Sequence, residues 1–178
     1  MRGLFERLAP RWDDLRTPGA LDAFRAALAA VDVPPSHALD VGTGTGAGAF
    51  EVASRWPATA VLGIDLAAAM VERARAKTPP ELAERVTFEV ADATHVPSDD
   101  GSFDLVTLLN MVPFFAELGR VSRPGAFLVV SFSLGPDTPI WVPPERLRTD
   151  LERHGFGQFR ELAAGSGTAL LARRLESV

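Results

Sequence analysis

The stretch Leu39-Asp40-Val41-Gly42-Thr43-Gly44-Thr45-Gly46-Ala47-Gly48 decides how the rest of the chain is read. Four glycines alternate along it, after the short run HALDV (37–41) and before a helix-like segment over 47–55. Glycine tolerates positive φ and lets backbone approach a ligand closely, so the pattern reads as strand, tight turn and helix start. The first amides of such a helix lack intrahelical partners and present an electropositive end to a phosphate or carboxylate. In open α/β sheets that site lies beyond the carboxyl ends of the strands. Gly42, Gly44 and Ala47 fit the dinucleotide spacing G-x-G-x-x-G/A, whereas no lysine follows before Lys77, which excludes a P-loop. Alone, the loop fits either a nucleotide-like ligand or a bare turn.

Asp65 narrows the choice. It follows Gly44 by 21 positions, at the end of the strand-like AVLGI (60–64), where a carboxylate can accept both hydroxyls of a ribose. The same residue can cap the helix that begins near Leu66. Paired with the glycine loop, the ribose reading leads.

Further out, short apolar runs alternate with helix-like stretches. Helices are predicted over 20–31, 47–55, 66–77, 113–121 and from Pro144 to about His154, with Pro34–Pro35, Pro79–Pro80 and Gly155 as stops. Strands are predicted at 37–41, 60–64, 86–90, 103–109, 126–132, 159–164 and 168–174, the last two joined through Gly165-Ser166-Gly167. Alternation of this kind implies right-handed crossovers: a doubly wound, Rossmann-like, seven-stranded, mostly parallel sheet with an antiparallel edge strand. Residues 1–178 form one domain, with 1–33 expected as an N-terminal helical lid segment and 34–178 as the core.

Composition excludes several chemistries. The 178 residues carry a net charge of −5 and no cysteine, so disulfides, thiolate metal sites and cysteine nucleophiles are out, and no metal centre is expected. Tyrosine is absent as well. The arginines are scattered, which argues against a nucleic-acid surface. No signal peptide and no span of bilayer length is legible, so a cytoplasmic location is expected.

The ordered segments LDVGTGTG (39–46), VLGIDLAAAMVERAR (61–75), VTFEVADATHVPSDDGSFDLVTLLN (86–110) and LGRVSRPGAFLVVSF (118–132) resemble the class I S-adenosylmethionine-dependent methyltransferases. With the terminal hairpin the resemblance spans roughly 35–175. The opening LFERLAPRWDDL (4–15) is similar to the subgroup containing the quinone-biosynthesis C-methyltransferases, in which such a helix lids the cofactor.

The resemblance implies S-adenosyl-L-methionine as cofactor and a small-molecule methyl acceptor. Gly42, Thr43, Gly44 and Gly46 would face the methionine moiety. Asp40 would organise the turn or receive the ammonium. Asp65 would bind the ribose, with Leu66 and Met70 around the adenine, and Asp92 and the Ala93 amide would read the adenine ring. Asn110 would touch the methionine end or only close its strand. Trp12, Phe114 and Trp141 are candidates for the substrate pocket. His95 is the best placed of three histidines for a general base, although a solvated loop position leads as its reading; His37 and His154 read as structural.

Two departures stand out. The usual Pro-Gly-Gly turn is Pro124-Gly125-Ala126, and the stretch from Asn110 to Arg120 is shorter than the family's, without its histidine pair. A cofactor-binding protein without transferase activity is therefore an alternative. A nicotinamide-dependent oxidoreductase is weakened by the missing tyrosine. A nucleic-acid methyltransferase is weakened because Asn110-Met111-Val112-Pro113 lacks paired prolines and an aromatic. Monomer and homodimer stay equally open.

Overall fold

The computed structural model describes residues 11, 13–15 and 17–176. Seven strands, β1 (His37–Val41), β2 (Ala60–Asp65), β3 (Val86–Val90), β4 (Phe103–Leu109), β5 (Ser122–Phe132), β6 (Phe156–Ala164) and β7 (Gly167–Arg174), form one sheet in the order β3-β2-β1-β4-β5-β7-β6. The first five run parallel; β7 is antiparallel to both β5 and β6. The antiparallel strand thus slots in beside β5, and the outermost position falls to β6.

Among the described residues five helices cover the sheet: α1 (Asp22–Ala29), α2 (Ala47–Arg55), α3 (Ala68–Lys77), α4 (Phe115–Val121) and α5 (Pro144–Glu152). Alternate strand residues face opposite layers, as the period of two requires. Ala38, Leu105, Val129 and Leu171 pack with Phe24 and Leu28 of α1, Val52 of α2 and Val71 of α3. Their neighbours Leu39, Val106, Val130 and Leu170 pack with Leu118 of α4 and Leu147 and Leu151 of α5. Burial on both faces explains why the strand runs are so apolar.

Helix α1 lies against β5, β7 and β6, and its Phe24 and Leu28 are fully buried, each contributing about 1.5–3 kcal/mol. The expectation that all of 1–33 is a lid is therefore corrected: α1 belongs to the core. Between β3 and β4 the chain makes no helix, and residues 91–102 cover that part of the sheet as turns. No helix among the described residues is long and apolar enough to cross a membrane.

Candidate cofactor site

Asp40 lies in β1 just before the glycine loop, and its carboxylate points beneath that loop. Oδ2 accepts from the Thr43 hydroxyl at 2.6 Å and the Ala49 amide at 3.1 Å, and Oδ1 accepts from the Thr107 hydroxyl at 2.7 Å. One side chain thereby ties β1 to β4, to the loop and to the first turn of α2. A Cβ on Gly48 would stand 2.7 Å from Asp40 Oδ1, so that glycine makes room for the carboxylate. Burial pushes the Asp40 carboxyl up to about 6, against the opposing pull of the hydrogen bonds from Thr107, Thr43 and Ala49. At 2% exposure its oxygens are closed to a ligand. Of the two roles considered for Asp40, the structure supports turn organisation, and its assignment as a cofactor contact is corrected.

The loop itself turns through Gly42, Gly44 and Gly46 at φ of 67°, 53° and 91°. A Cβ on Gly42 would lie 2.7 Å from Met111 Sδ, and one on Gly46 would lie 2.8 Å from the Phe50 ring. Both glycines thus answer to the fold as well as to any ligand. Thr43 is buried, its amide bonded to the Ile64 carbonyl at 2.9 Å.

Asp65 ends β2 beside this loop. Its Oδ2 accepts from the Gly44 amide and its Oδ1 from the Ala67 amide, both at 2.9 Å. The carboxylate shapes the turn into α3 and buttresses the glycine loop at once, but the N-cap of that helix is Ala67 and carries no side-chain cap bond, so the capping reading is not realised. It is only half-buried, and a carboxylate offers about four acceptor sites, which leaves capacity for the two hydroxyls of a ribose.

Two residues beyond β3, Asp92 is exposed and forms an Asx turn. Its Oδ1 accepts from the Thr94 amide at 2.8 Å and the Thr94 hydroxyl at 2.7 Å, and these bonds hold its carboxyl below the ordinary range. Both fall on Oδ1, so the carboxylate retains acceptor capacity. Ala93 is half-buried next to it. Because β3, β2 and β1 are neighbours, Asp92, Asp65 and the glycine loop stand at three adjacent strand ends, where open α/β sheets form their ligand crevice. Carboxylate acceptors at the ends of β2 and β3 and glycine backbone after β1 are chemistry that fits S-adenosylmethionine.

Other candidates sit differently. Leu66 is 47% exposed at the mouth of the crevice, but Met70 is buried against Ala67 and Ala69 in the first turn of α3. It stands three residues beyond the Ala67 amide that Asp65 holds, at the end of α3 that begins beside the glycine loop. Asn110, at φ 55°, gives its side chain to Ser133: the Ser133 amide donates to Oδ1 and Nδ2 donates to the Ser133 hydroxyl, both at 2.8 Å. Of the two roles considered for Asn110, these bonds support closing the strand. His95 is exposed near the carboxylates of Asp92 and Glu117, and among the described residues no hydrogen bond orients its ring. Trp12 lies outside the described residues. Phe114 is exposed beyond β4. Trp141 packs partly into the α4/α5 layer, where it lines a pocket of about 190 Å³ with Phe132, Leu147 and Leu170. None of the residues lining that pocket belongs to the glycine loop.

Three participants escaped the sequence reading. Thr107 completes the Asp40 network, Met111 covers Gly42, and Asp13 reaches the loop from the N-terminal side. Asp13 Oδ1 accepts from the Thr45 hydroxyl at 2.7 Å, and its Oδ2 accepts from Lys77 Nζ at 2.8 Å. Only the acidic pair Asp13–Asp14 near an expected lid hinted at the last. No group of three or more His, Asp or Glu among the described residues is placed to hold a metal ion.

The comparisons with known proteins agree with this geometry. A family model described as "Methyltransferase domain" matches residues 38–125. The chain is 32% identical over 155 residues to the ubiquinone/menaquinone biosynthesis C-methyltransferase UbiE of Geobacter sp. (strain M21), covering 79% of this chain and 66% of that protein. It is 29% identical over 182 residues to the malonyl-[acyl-carrier protein] O-methyltransferase of Dechloromonas aromatica, covering 96% and 66%. The chain thus spans just under two thirds of the length of these relatives. In fold it is similar to a SAM-dependent methyltransferase from Aquifex aeolicus, with a TM-score of 0.73, 20% identity, and coverage of 94% and 98%. The chain belongs to the class I S-adenosylmethionine-dependent methyltransferases.

Proposed function

We propose that this protein transfers a methyl group from S-adenosylmethionine to a small, largely apolar acceptor. The observation that carries the reading is the Asp65 carboxylate, half-open at the crevice and braced by the Gly44 and Ala67 amides. Asp65 holds the ribose, the Asp92-Ala93 turn reads the adenine, and the backbone of residues 42–46 faces the methionine moiety. When bound, the cofactor supplies an electrophilic methyl group on a sulfonium, and the chain supplies orientation and exclusion of water.

An apolar acceptor is supported by the rim of the crevice. Leu66, Val90, Val112, Phe114 and Leu134 are all exposed, and all stand at or just beyond the carboxyl ends of β2, β3, β4 and β5. Clustered exposed apolar residues mark a binding surface more often than chance placement does.

Calorimetry with S-adenosylhomocysteine and with NADH tests the cofactor, and binding of NADH alone overturns the reading. Transfer of labelled methyl to a quinone precursor against malonyl-acyl-carrier protein tests the substrate. A second reading, cofactor binding without transfer, is favoured by the short connection of residues 110–114 between β4 and α4. Tight binding with no transfer to any acceptor selects it.

A further inference from the structure

Residues 91–102 carry Asp92 and Ala93 but contain no helix to hold them. What holds them is α4. The Arg120 guanidinium donates to the Val96 carbonyl at 3.0 Å, the Ser98 carbonyl at 2.8 Å and the Asp100 carboxylate at 2.8 Å. The Arg120 carbonyl accepts from the Gly101 amide at 2.8 Å. Glu117, one turn earlier, receives the same guanidinium on both oxygens, at 2.6 and 2.9 Å, and accepts from the Val96 amide at 2.7 Å. Val96 itself is buried among Ile64, Leu118 and their neighbours. Its position is therefore fixed from three sides.

The Asp92-Ala93 turn proposed to read the adenine ends only three residues upstream of this anchor. The His95 amide donates to the Asp92 carbonyl at 3.0 Å, and Thr94 donates twice to the Asp92 carboxylate. Those bonds are local: they shape the turn but do not place it relative to β2. Placement comes from the Ala91 amide on the Asp65 carbonyl at 3.0 Å at one end and from the Glu117–Arg120 clamp at the other. A planar guanidinium with donors in a fixed fork suits that task, where a lysine offers a single movable point charge.

We propose that Arg120 and Glu117 are positioning residues for adenine selectivity: by fixing Val96, Ser98 and Asp100 they hold the Asp92-Ala93 turn where it meets the adenine amino group. The inference rests on the proposed cofactor reading, and its test separates the two.

The test measures, by calorimetry, the affinities of the full chain for S-adenosylhomocysteine and for its 6-oxo analogue S-inosylhomocysteine, which lacks the amino donor. The native chain prefers the adenine compound by about tenfold, the worth of one charge-assisted hydrogen bond at a solvent-facing site. Arg120→Ala brings that preference close to one while affinity for the inosine analogue stays within about twofold, since ribose and methionine contacts are elsewhere. Glu117→Gln, which keeps shape and loses charge, falls between, and it serves if the alanine variant does not fold. Arg146→Ala, which removes an exposed α5 arginine bonded only to Asp150 among the described side chains, leaves the preference intact. Equal loss of both affinities at an unchanged ratio makes the clamp merely structural and overturns the proposal. A native chain that binds both analogues equally also overturns it, without touching the cofactor reading. A native chain that binds neither defeats that reading as well.

Discussion

Asn110 and Ser133 grip each other through two side-chain hydrogen bonds of 2.8 Å while the Asn110 amide donates to the Ser131 carbonyl at 2.9 Å. The ends of β4 and β5 are thus clipped together where the acceptor pocket is proposed to open. Asn110 also sits at φ 55°, a region that asparagine tolerates better than most residues. The two contributions separate by mutation. Asn110→Gly removes the hydrogen bonds and keeps the backbone at ease, costing about 1–2 kcal/mol in urea unfolding. Asn110→Ala adds left-handed strain and costs about 1 kcal/mol more. Equal losses remove the strain argument.

Asp65→Ala is expected to weaken S-adenosylhomocysteine binding by about a hundredfold, because hydrogen bonds to a charged group are worth about 1.5–3 kcal/mol and the ribose offers two hydroxyls. The same substitution strips acceptors from the Gly44 and Ala67 amides, so the melting temperature falls by several degrees even without ligand. Binding loss with no change in melting shows that the amide contacts carry no weight; unchanged affinity by calorimetry refutes the ribose assignment.

Asp40 titrates against the fold. Its folded carboxyl lies near 6, above the ordinary 3.8, so the native state holds the proton more tightly than the unfolded chain. Its contribution is full below about 3.8 and fades as pH rises through about 6. Asn fits the site, with Oδ1 facing Thr43 and Ala49 and Nδ2 donating to the Thr107 hydroxyl. Asp40→Asn therefore gains melting temperature relative to the native chain between pH 4 and pH 7, traced by calorimetric scans of both. A constant difference across that range contradicts the buried titration.

Lys77 is the only lysine of the chain, and it draws Asp13 over the glycine loop. The pair is partly exposed, so Lys77→Ala costs stability within about 1 kcal/mol. Its effect falls on access instead. Residues 13–15 loosen from Thr45, and the off-rate of S-adenosylhomocysteine rises several-fold in stopped flow, more at low salt than at high. A salt-independent off-rate equal to that of the native chain excludes the tether.

Gly63 is a packing requirement in the middle of β2. A Cβ there would approach the Phe88 ring to 2.5 Å and Thr43 Oγ1 to 2.7 Å. Gly63→Ala is expected to cost about 1–3 kcal/mol through displacement of Phe88 and the glycine loop behind it. Chemical denaturation reads this directly, and a neutral substitution shows that the ring moves freely.

Which parts were legible follows from range. The glycine ladder, the alternating apolar runs and Asp65 are local signals, and each strand predicted at 37–41, 86–90 and 103–109 ends where the structure ends it. β5 starts four residues earlier than expected, at Ser122, because Ser122 pairs with Phe103 of β4 ahead of the Arg-Pro-Gly turn and regular pairing resumes at Phe127 after a register shift. Asp40 looked like a ligand contact because the sequence does not reveal Thr107, 67 positions away, which claims its second oxygen. The Asp13–Lys77 tether spans 64 positions and joins two residues without a shared motif.

The placement of β7 between β5 and β6 bears on how the molecule is made. Five parallel strands and most helices leave the ribosome while the outer side of β5 still lacks a neighbour, and α1 emerges more than a hundred residues before the surface it covers is complete. The β6–β7 hairpin forms locally and then seats as one piece, joining the earliest helix to the latest strand. Assembly is therefore a late, all-at-once event, and a chain stalled before Gly167 presents an unpaired hydrophobic strand to every other nascent copy.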